Sequence, residues 1–180
     1  MISFLKSNPG TPVPDAEVRA RYNRLRWHAL FGIFIGYAAF YILRNNFLLS
    51  SPELISEYGF SKKDIGFISG AMLIVYGLSK GFMSAMADKS NPKHFMIFGL
   101  LMSAIVNLMM GFSASFWAFL FLCLLNGIFQ GMGVGPAYIV LANWFPRKSR
   151  GVTTAFFNIS HNVGGGLVAP IAGGSIAWLG

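Results

Sequence analysis

Three ionisable side chains lie inside long apolar stretches of this 180-residue sequence, namely Arg44, Lys80 and His161. A charged group costs a few kcal/mol to place within a bilayer, so such residues are functional candidates by default. None of the three is an acid. A set of intramembrane cations without a carboxylate partner suits a pathway for anions. It also lacks the acidic relay that is common in proton-coupled carriers.

The depth of each group separates a functional role from snorkelling toward the membrane surface. His161 lies eleven residues after Arg150, about 16 Å along a helix and therefore near mid-membrane. Arg44 and Lys80 lie nine and eight residues from the nearest loop acid, so either side chain could extend to an interface. On depth alone, we rank Arg44 first, His161 second and Lys80 third as functional residues.

Neighbours at helical spacing add to these candidates. Tyr37, Tyr41 and Arg44 stand at i, i+4 and i+7 and share one helix face. A guanidinium is a planar fork of donors that matches phosphate or carboxylate oxygens bidentately, so this stripe suits an oxyanion. Asn158 and His161 likewise share a face with Gly165. The predicted substrate-binding residues are Arg44, His161, Tyr37, Tyr41, Lys80 and Asn158.

The elements that position these residues follow from composition. Hydrophobic residues make up 54% of the chain and charged residues 11%, against about 25% charged in soluble domains. A membrane span needs roughly 20 apolar residues, so the uncharged run 94–146 must hold two spans with a turn near 111–115. We predict an all-α membrane protein with about five transmembrane helices, in which 1–26 is a basic arm, solvated and becoming helical near the membrane. The predicted spans are about 27–50, 65–86, 94–111, 116–140 and 152–178.

Orientation follows from the Lys and Arg residues near the span ends, because acids contribute little to this rule. One side of the bilayer carries the arm, Lys89, Lys93 and the basic loop 147–150, whereas the other carries only Lys62 and Lys63. The N-terminus is therefore predicted to be cytoplasmic. On the other side, the spacing of Ser61 and Asp64 predicts a capped helix start.

Other classes of function fit the sequence poorly. The net charge of +8 comes from residues that flank apolar segments, so we expect no nucleic-acid partner. Glycines in span four, at four-residue spacing from Gly127 to Gly135, favour close helix packing over a phosphate loop. We find no catalytic triad and no cluster of metal ligands, and the single Cys123 reads as a packing residue. We therefore expect no enzyme activity, no metal and no cofactor.

Several motifs together carry a family resemblance. They are Gly36-Tyr37-Ala38-Ala39, Arg44-Asn45-Asn46-Phe47, Tyr76-Gly77-Leu78-Ser79-Lys80, Asp88-Lys89-Ser90-Asn91-Pro92-Lys93, Phe129-Gln130-Gly131-Met132-Gly133 and His161-Asn162-Val163-Gly164-Gly165-Gly166. In this order and spacing they resemble the first five helices of the organophosphate:phosphate antiporters of the major facilitator superfamily. The likeness runs from about residue 20 to the end. One departure is Ser84, where the superfamily loop pattern usually has glycine.

The resemblance implies a function and roles for two residues. Members of the family exchange inorganic phosphate for glycerol 3-phosphate, hexose phosphates or phosphoglycerates. Arg44 matches the substrate-binding arginine of helix one, and His161 matches the binding-site histidine of helix five. Asn45 departs from the lysine that follows this arginine in glycerol-phosphate and hexose-phosphate members. The stretches 131–136 and 143–146 look most like a phosphoglycerate carrier.

Complete members of the family have twelve helices in two halves, with a second arginine on helix seven. The resemblance therefore implies that these 180 residues are the N-terminal portion of a carrier, as a fragment or a truncated reading frame, without its C-terminal half. The expected function is transport of an organic phosphate ester across the bacterial inner membrane by alternating access, in exchange for inorganic phosphate. The alternative is a membrane sensor for a sugar phosphate, since the family includes one that signals to a membrane kinase.

Overall fold

The regular elements of the described chain are all helices. The computed structural model describes Leu5 and residues 13–179, without the side chains at 172, 173 and 175–179. The helices are α1 (Asp15–Leu49), α2 (Ser51–Ser56), α3 (Lys62–Ala87), α4 (Pro92–Gly111), α5 (Phe116–Gln130), α6 (Val134–Trp144) and α7 (Arg147–Leu179). The predicted all-α fold class is confirmed.

Within the described residues, four helical segments are long and apolar enough to cross a membrane, by length and composition. They are Asp15–Ser56, Lys62–Ala87, Pro92–Gly111 and Phe116–Trp144. The fifth long helix, α7, has 33 residues and contains Pro170. Large apolar side chains point outward from the bundle, for example Leu78, Phe82 and Ile74, which are 73%, 70% and 66% exposed. An outward apolar surface of this extent is typical of a lipid-facing protein.

The first long helix begins well before the predicted span. Residues 15–26 of the arm are helical and continue into the span without a break. Within this segment the Tyr22 hydroxyl donates a hydrogen bond to the Trp144 carbonyl at 2.6 Å, and the two rings stack with centroids 6.1 Å apart. Tyr22 therefore joins the arm to the end of α6, while residues 14–21 of the arm are exposed. Residues 1–4 and 6–12 of the arm lie outside the described part of the chain.

The helix starts follow local capping chemistry. Ser61 and Asp64 form a reciprocal capping box at the start of α3, as the sequence predicted. At the next turn, the Asn91 side chain accepts hydrogen bonds from the backbone N–H groups of Lys93 and His94. Capping satisfies backbone donors that the first helical turn leaves without a partner. The short helix α2, which the sequence did not predict, occupies part of the polar segment between α1 and α3.

The region predicted as span four is interrupted. Helix α5 ends at Gln130, residues 131–133 form a turn, and α6 begins at Val134 and continues to Trp144, beyond the predicted end near 140. A Cβ on Gly133 would lie 2.9 Å from the Phe40 ring, so this turn is pressed against α1.

A stripe of glycines brings α5 and α6 against α3. A Cβ on Gly127 would lie 3.0 Å from the Met72 carbonyl oxygen, and one on Gly131 would lie 2.9 Å from the Lys80 backbone nitrogen. A Cβ on Gly135 would lie 2.7 Å from the Cα of Ser84. Absence of side chains lets two helix backbones touch. The predicted packing role of these glycines is confirmed, and the departure at Ser84 is accommodated by a glycine on the partner helix.

A similar contact joins α1 and α7. A Cβ on Gly164 would lie 2.9 Å from the Cα of Ala38, so α7 approaches the middle of α1 at backbone distance. Two of the three hydrophobic clusters of the described chain include residues of α1: one contains Leu30, Phe40 and Phe157, the other Phe47, Ile68 and Val106. Arg44 lies on α1 between Phe40 and Phe47, at the boundary of the two clusters.

Candidate functional site

Arg44 is held in an aromatic and amide cage. Its guanidinium carbon lies 3.9 Å from the Tyr76 ring centroid and 4.6 Å from the Tyr41 ring centroid. Its Nε and Nη2 groups donate hydrogen bonds to Oε1 of Gln130 at 3.3 Å and 3.2 Å. Contact with aromatic faces stabilises a cation electrostatically. Residues from α1, α3 and α5 thus contact the guanidinium, and the side chain is only partly buried.

The two predicted tyrosines differ in their surroundings. The Tyr37 and Tyr41 ring centroids are 5.4 Å apart, so the two rings occupy one face of α1. Tyr37 is 8% exposed and packs within the hydrophobic core, with its ring centroid 5.0 Å from that of Phe157. Tyr41 is partly buried and contacts the Arg44 guanidinium. Of the pair, Tyr41 is the one whose ring lies in the cage.

His161 joins the same group from α7. Its ring centroid lies 5.5 Å from that of Tyr41, at an interplanar angle of 39°. The glycine contacts between α7 and α1 make this approach possible, since a Cβ on Gly164 would lie 2.8 Å from the Tyr41 Cβ. Tyr41 therefore contacts both His161 and Arg44. The sequence placed these two residues on separate helices and did not predict that they meet. Asn158, nearly one turn before His161, is exposed.

Lys80 lies at the edge of this group. It stands four residues after Tyr76 on α3, so it shares a helix face with the residue whose ring covers Arg44. Its side chain is exposed. The structure thus gathers Arg44, Tyr41 and His161 directly, while Lys80 and Asn158 lie at the exposed margin.

Among the described residues, no acid forms an ion pair with Arg44, Lys80 or His161. Within residues 13–179, the one ion pair joins Arg21 and Glu17 at 3.5 Å, in the arm. The sequence places all six acids at helix ends or in loops. The partners of Arg44 are a neutral amide and two aromatic rings. An uncompensated cation in a region of low dielectric attracts anions strongly.

A polar network behind Arg44 was missed by the sequence argument. Gln130 Nε2 donates to Ser103 Oγ at 2.9 Å, and Ser103 Oγ donates to Asn126 Oδ1 at 2.5 Å. All three side chains are at most 1% exposed. A signal for them existed: Asn126 and Gln130 are amides at i and i+4 inside an uncharged run, and such polar residues in a span usually have interhelical partners. Tyr76 lies in one of the family motifs, but the sequence predicted no role for it.

Other features of the described chain offer no competing chemistry. Across Leu5 and residues 13–179, no group of three or more His, Cys, Asp or Glu side chains could hold a metal ion. Cys123 is fully buried. A groove of about 580 Å³ opens between α1, α4 and α6, and neither Arg44 nor His161 is among its lining residues. The residues best suited to bind a ligand are therefore those around Tyr41, namely Arg44 and His161.

Comparison with known proteins gives a family and several relatives. The family model described as Major Facilitator Superfamily matches residues 31–180. The chain is 54% identical, over its whole length, to the phosphoglycerate transporter protein of Salmonella typhimurium. It is 40% identical over 95% of its length to the glycerol-3-phosphate transporter of Bacillus subtilis, and 40% identical over 93% to the membrane sensor protein UhpC of Salmonella typhimurium.

The chain spans 39% of the length of the first two relatives and 38% of the third. No solved structure matches it. The family match covers the helices that carry Arg44, Lys80 and His161, and the relatives are of the kind that the sequence motifs resemble. The chain therefore belongs to the Major Facilitator Superfamily, as a member of the organophosphate:phosphate antiporter type.

Proposed function

We propose that the complete gene product carries an organic phosphate ester across a bacterial inner membrane, in exchange for inorganic phosphate, by alternating access. The observation that carries this proposal is the Arg44 guanidinium, clamped on one edge by Gln130 and without an acid partner among the described residues. No chemical bond is made or broken in this function. The protein acts as a carrier and not as an enzyme.

The geometry of the clamp supports phosphate as the recognised group. Gln130 Oε1 accepts hydrogen bonds from Nε–H and from one N–H of Nη2. The two Nη1 protons and the second Nη2 proton of Arg44 remain available to a ligand. These remaining donors form the outer fork of the guanidinium. Such a fork binds two oxygens of a phosphate group in parallel. His161 would approach the same anion from α7, and the exposed Lys80 would add positive potential at its margin.

A three-carbon phosphoglycerate is the favoured substrate. The relative that is 54% identical over the whole chain is named a phosphoglycerate transporter, whereas relatives named for glycerol 3-phosphate or sensing are about 40% identical. Glycerol 3-phosphate and hexose phosphates are the alternative substrates. The rest of the carrier would supply the second half of the site, because the pathway of such carriers lies between two bundles.

A second candidate is a membrane sensor for a sugar phosphate. It is favoured by one observation, the 40% identity to a protein named a membrane sensor. The two functions differ in turnover, since a sensor binds its ligand without moving it. Phosphate-exchange flux through liposomes that contain the complete gene product separates them. Flux supports the carrier, and binding without flux supports the sensor.

The site itself is tested with Arg44→Lys, which keeps the charge and loses the fork. A charge-assisted hydrogen bond contributes about 1.5–3 kcal/mol, so phosphate affinity should fall by roughly tenfold to a hundredfold or more. His161→Ala should also impair exchange. Lys80→Arg is the matched control, because it exchanges the same two side-chain types at the exposed margin, and it should change affinity little. Equal affinities for Arg44→Lys and Lys80→Arg, both close to wild type, would refute the proposed oxyanion site.

A further inference from the structure

The contacts around Gln130 form a relay with a fixed direction. A serine hydroxyl has one proton, and that of Ser103 is directed to Asn126 Oδ1 at 2.5 Å. Ser103 Oγ can then only accept from Gln130, whose Nε2 donates to it at 2.9 Å. The amide of Gln130 is thereby oriented with its nitrogen toward Ser103 and its oxygen toward Arg44. Arg44 consequently meets an acceptor and not a second donor.

The burial of the relay makes this orientation rigid. Gln130 and Ser103 are both 0% exposed, and Asn126 is 1% exposed, so no water competes with these hydrogen bonds. Turning the Gln130 amide over would bring its NH₂ group against the Arg44 donors and leave buried polar atoms without partners. A buried donor or acceptor without a partner costs about 1–3 kcal/mol. The oriented Gln130 amide therefore holds the Arg44 guanidinium in one orientation.

We infer that Gln130, oriented by Ser103 and Asn126, is a neutral positioning residue: it fixes the Arg44 guanidinium yet leaves its positive charge available to a phosphate group. This inference rests on the proposed function. A carboxylate at position 130 would hold the guanidinium equally well in geometry. It would also cancel the charge and repel a phosphate anion, so an amide is the side chain that clamps without neutralising.

Two substitutions at one position separate charge from structure. In Gln130→Glu, Ser103 can turn its hydroxyl toward the new carboxylate and accept from a turned Asn126 amide, so the clamp on Arg44 is kept while a negative charge is added. Gln130→Met is the matched control of similar length, and it removes the clamp without adding charge. The measurement is the equilibrium dissociation constant of inorganic phosphate for the complete gene product in lipid nanodiscs, with the thermal unfolding temperature recorded beside it.

We expect Gln130→Glu to weaken phosphate binding about tenfold or more, and Gln130→Met to weaken it by a smaller factor. A merely structural role would give the two variants similar dissociation constants, or would make Gln130→Met the weaker binder, and either result overturns the inference. If Gln130→Glu does not fold, Ser103→Ala decides, because it frees the Gln130 amide to turn. Severalfold weaker binding then supports the relay, and wild-type binding refutes it.

Arg44→Lys in the same assay distinguishes this inference from the proposed function. If Arg44→Lys binds phosphate weakly while both Gln130 variants bind as wild type does, the relay is refuted and the oxyanion site stands. If Arg44→Lys itself binds as wild type does, the oxyanion site is refuted. The relay then has no phosphate-binding residue to position, and the inference is refuted with it.

Discussion

The packing of α5 against α3 predicts opposite effects for one substitution at two glycines. A Cβ on Gly131 would lie 2.9 Å from the Lys80 backbone nitrogen, whereas a Cβ on Gly77, in the middle of α3, meets nothing within 4 Å. Alanine in place of glycine stabilises a helix by about 1 kcal/mol through helix propensity alone. Gly131 lies in the turn after α5, so it has no such gain, and its Cβ would overpack against backbone at a cost of about 1–3 kcal/mol. Gly131→Ala should therefore destabilise the bundle, and Gly77→Ala should stabilise it.

The assay can use the buried thiol of Cys123, the single cysteine of the 180-residue chain, which is 0% exposed. A thiol-reactive fluorophore added during heating in detergent labels this cysteine only as the helices separate. For a chain of this size about 1 kcal/mol corresponds to roughly 2–4 °C, so Gly77→Ala should raise the unfolding temperature by about that amount. Gly131→Ala should lower it. Shifts of the same sign in both variants would refute the argument that α3 and α5 touch at backbone distance.

Two further predictions concern the ends of the helices. For orientation, a reporter that is active only outside the cytoplasm should work when fused after Glu57 and fail after Ser90 or Ser149, and the reverse pattern would contradict a cytoplasmic N-terminus. For the end of α6, Arg150 donates to the carbonyls of Phe145 at 2.9 Å and Ala142 at 2.6 Å. Arg150→Met should therefore lower the free energy of unfolding by about 1–2 kcal/mol, measured by the same thermal assay. Lys148→Met, which removes an equal charge from an exposed neighbour, should change it little.

Much of the architecture could be predicted from the sequence because the bilayer imposes a strong constraint. Backbone polar groups in lipid must be satisfied within the segment, so long uncharged runs had to be helices. The local signals were also sufficient where the physics is local. Ser61 and Asp64 are three residues apart and form the capping box that this spacing predicts. The four-residue spacing of Gly127, Gly131 and Gly135 was enough to predict close packing, although not the helix against which they pack.

What the sequence did not predict arises from contacts between distant segments. Gln130 is 86 residues from Arg44, and hydropathy carries no information about which polar side chains of two spans face each other. The sequence placed Tyr37 and Tyr41 on one face correctly, yet a helix face is wide enough for one ring to enter the core while the other covers the guanidinium. Helix propensity and polarity thus determined that Arg44 lies within a span. Backbone contact at the glycines decided which residues surround it, because only the crossing of the helices brings Tyr76, Gln130 and His161 to the same place.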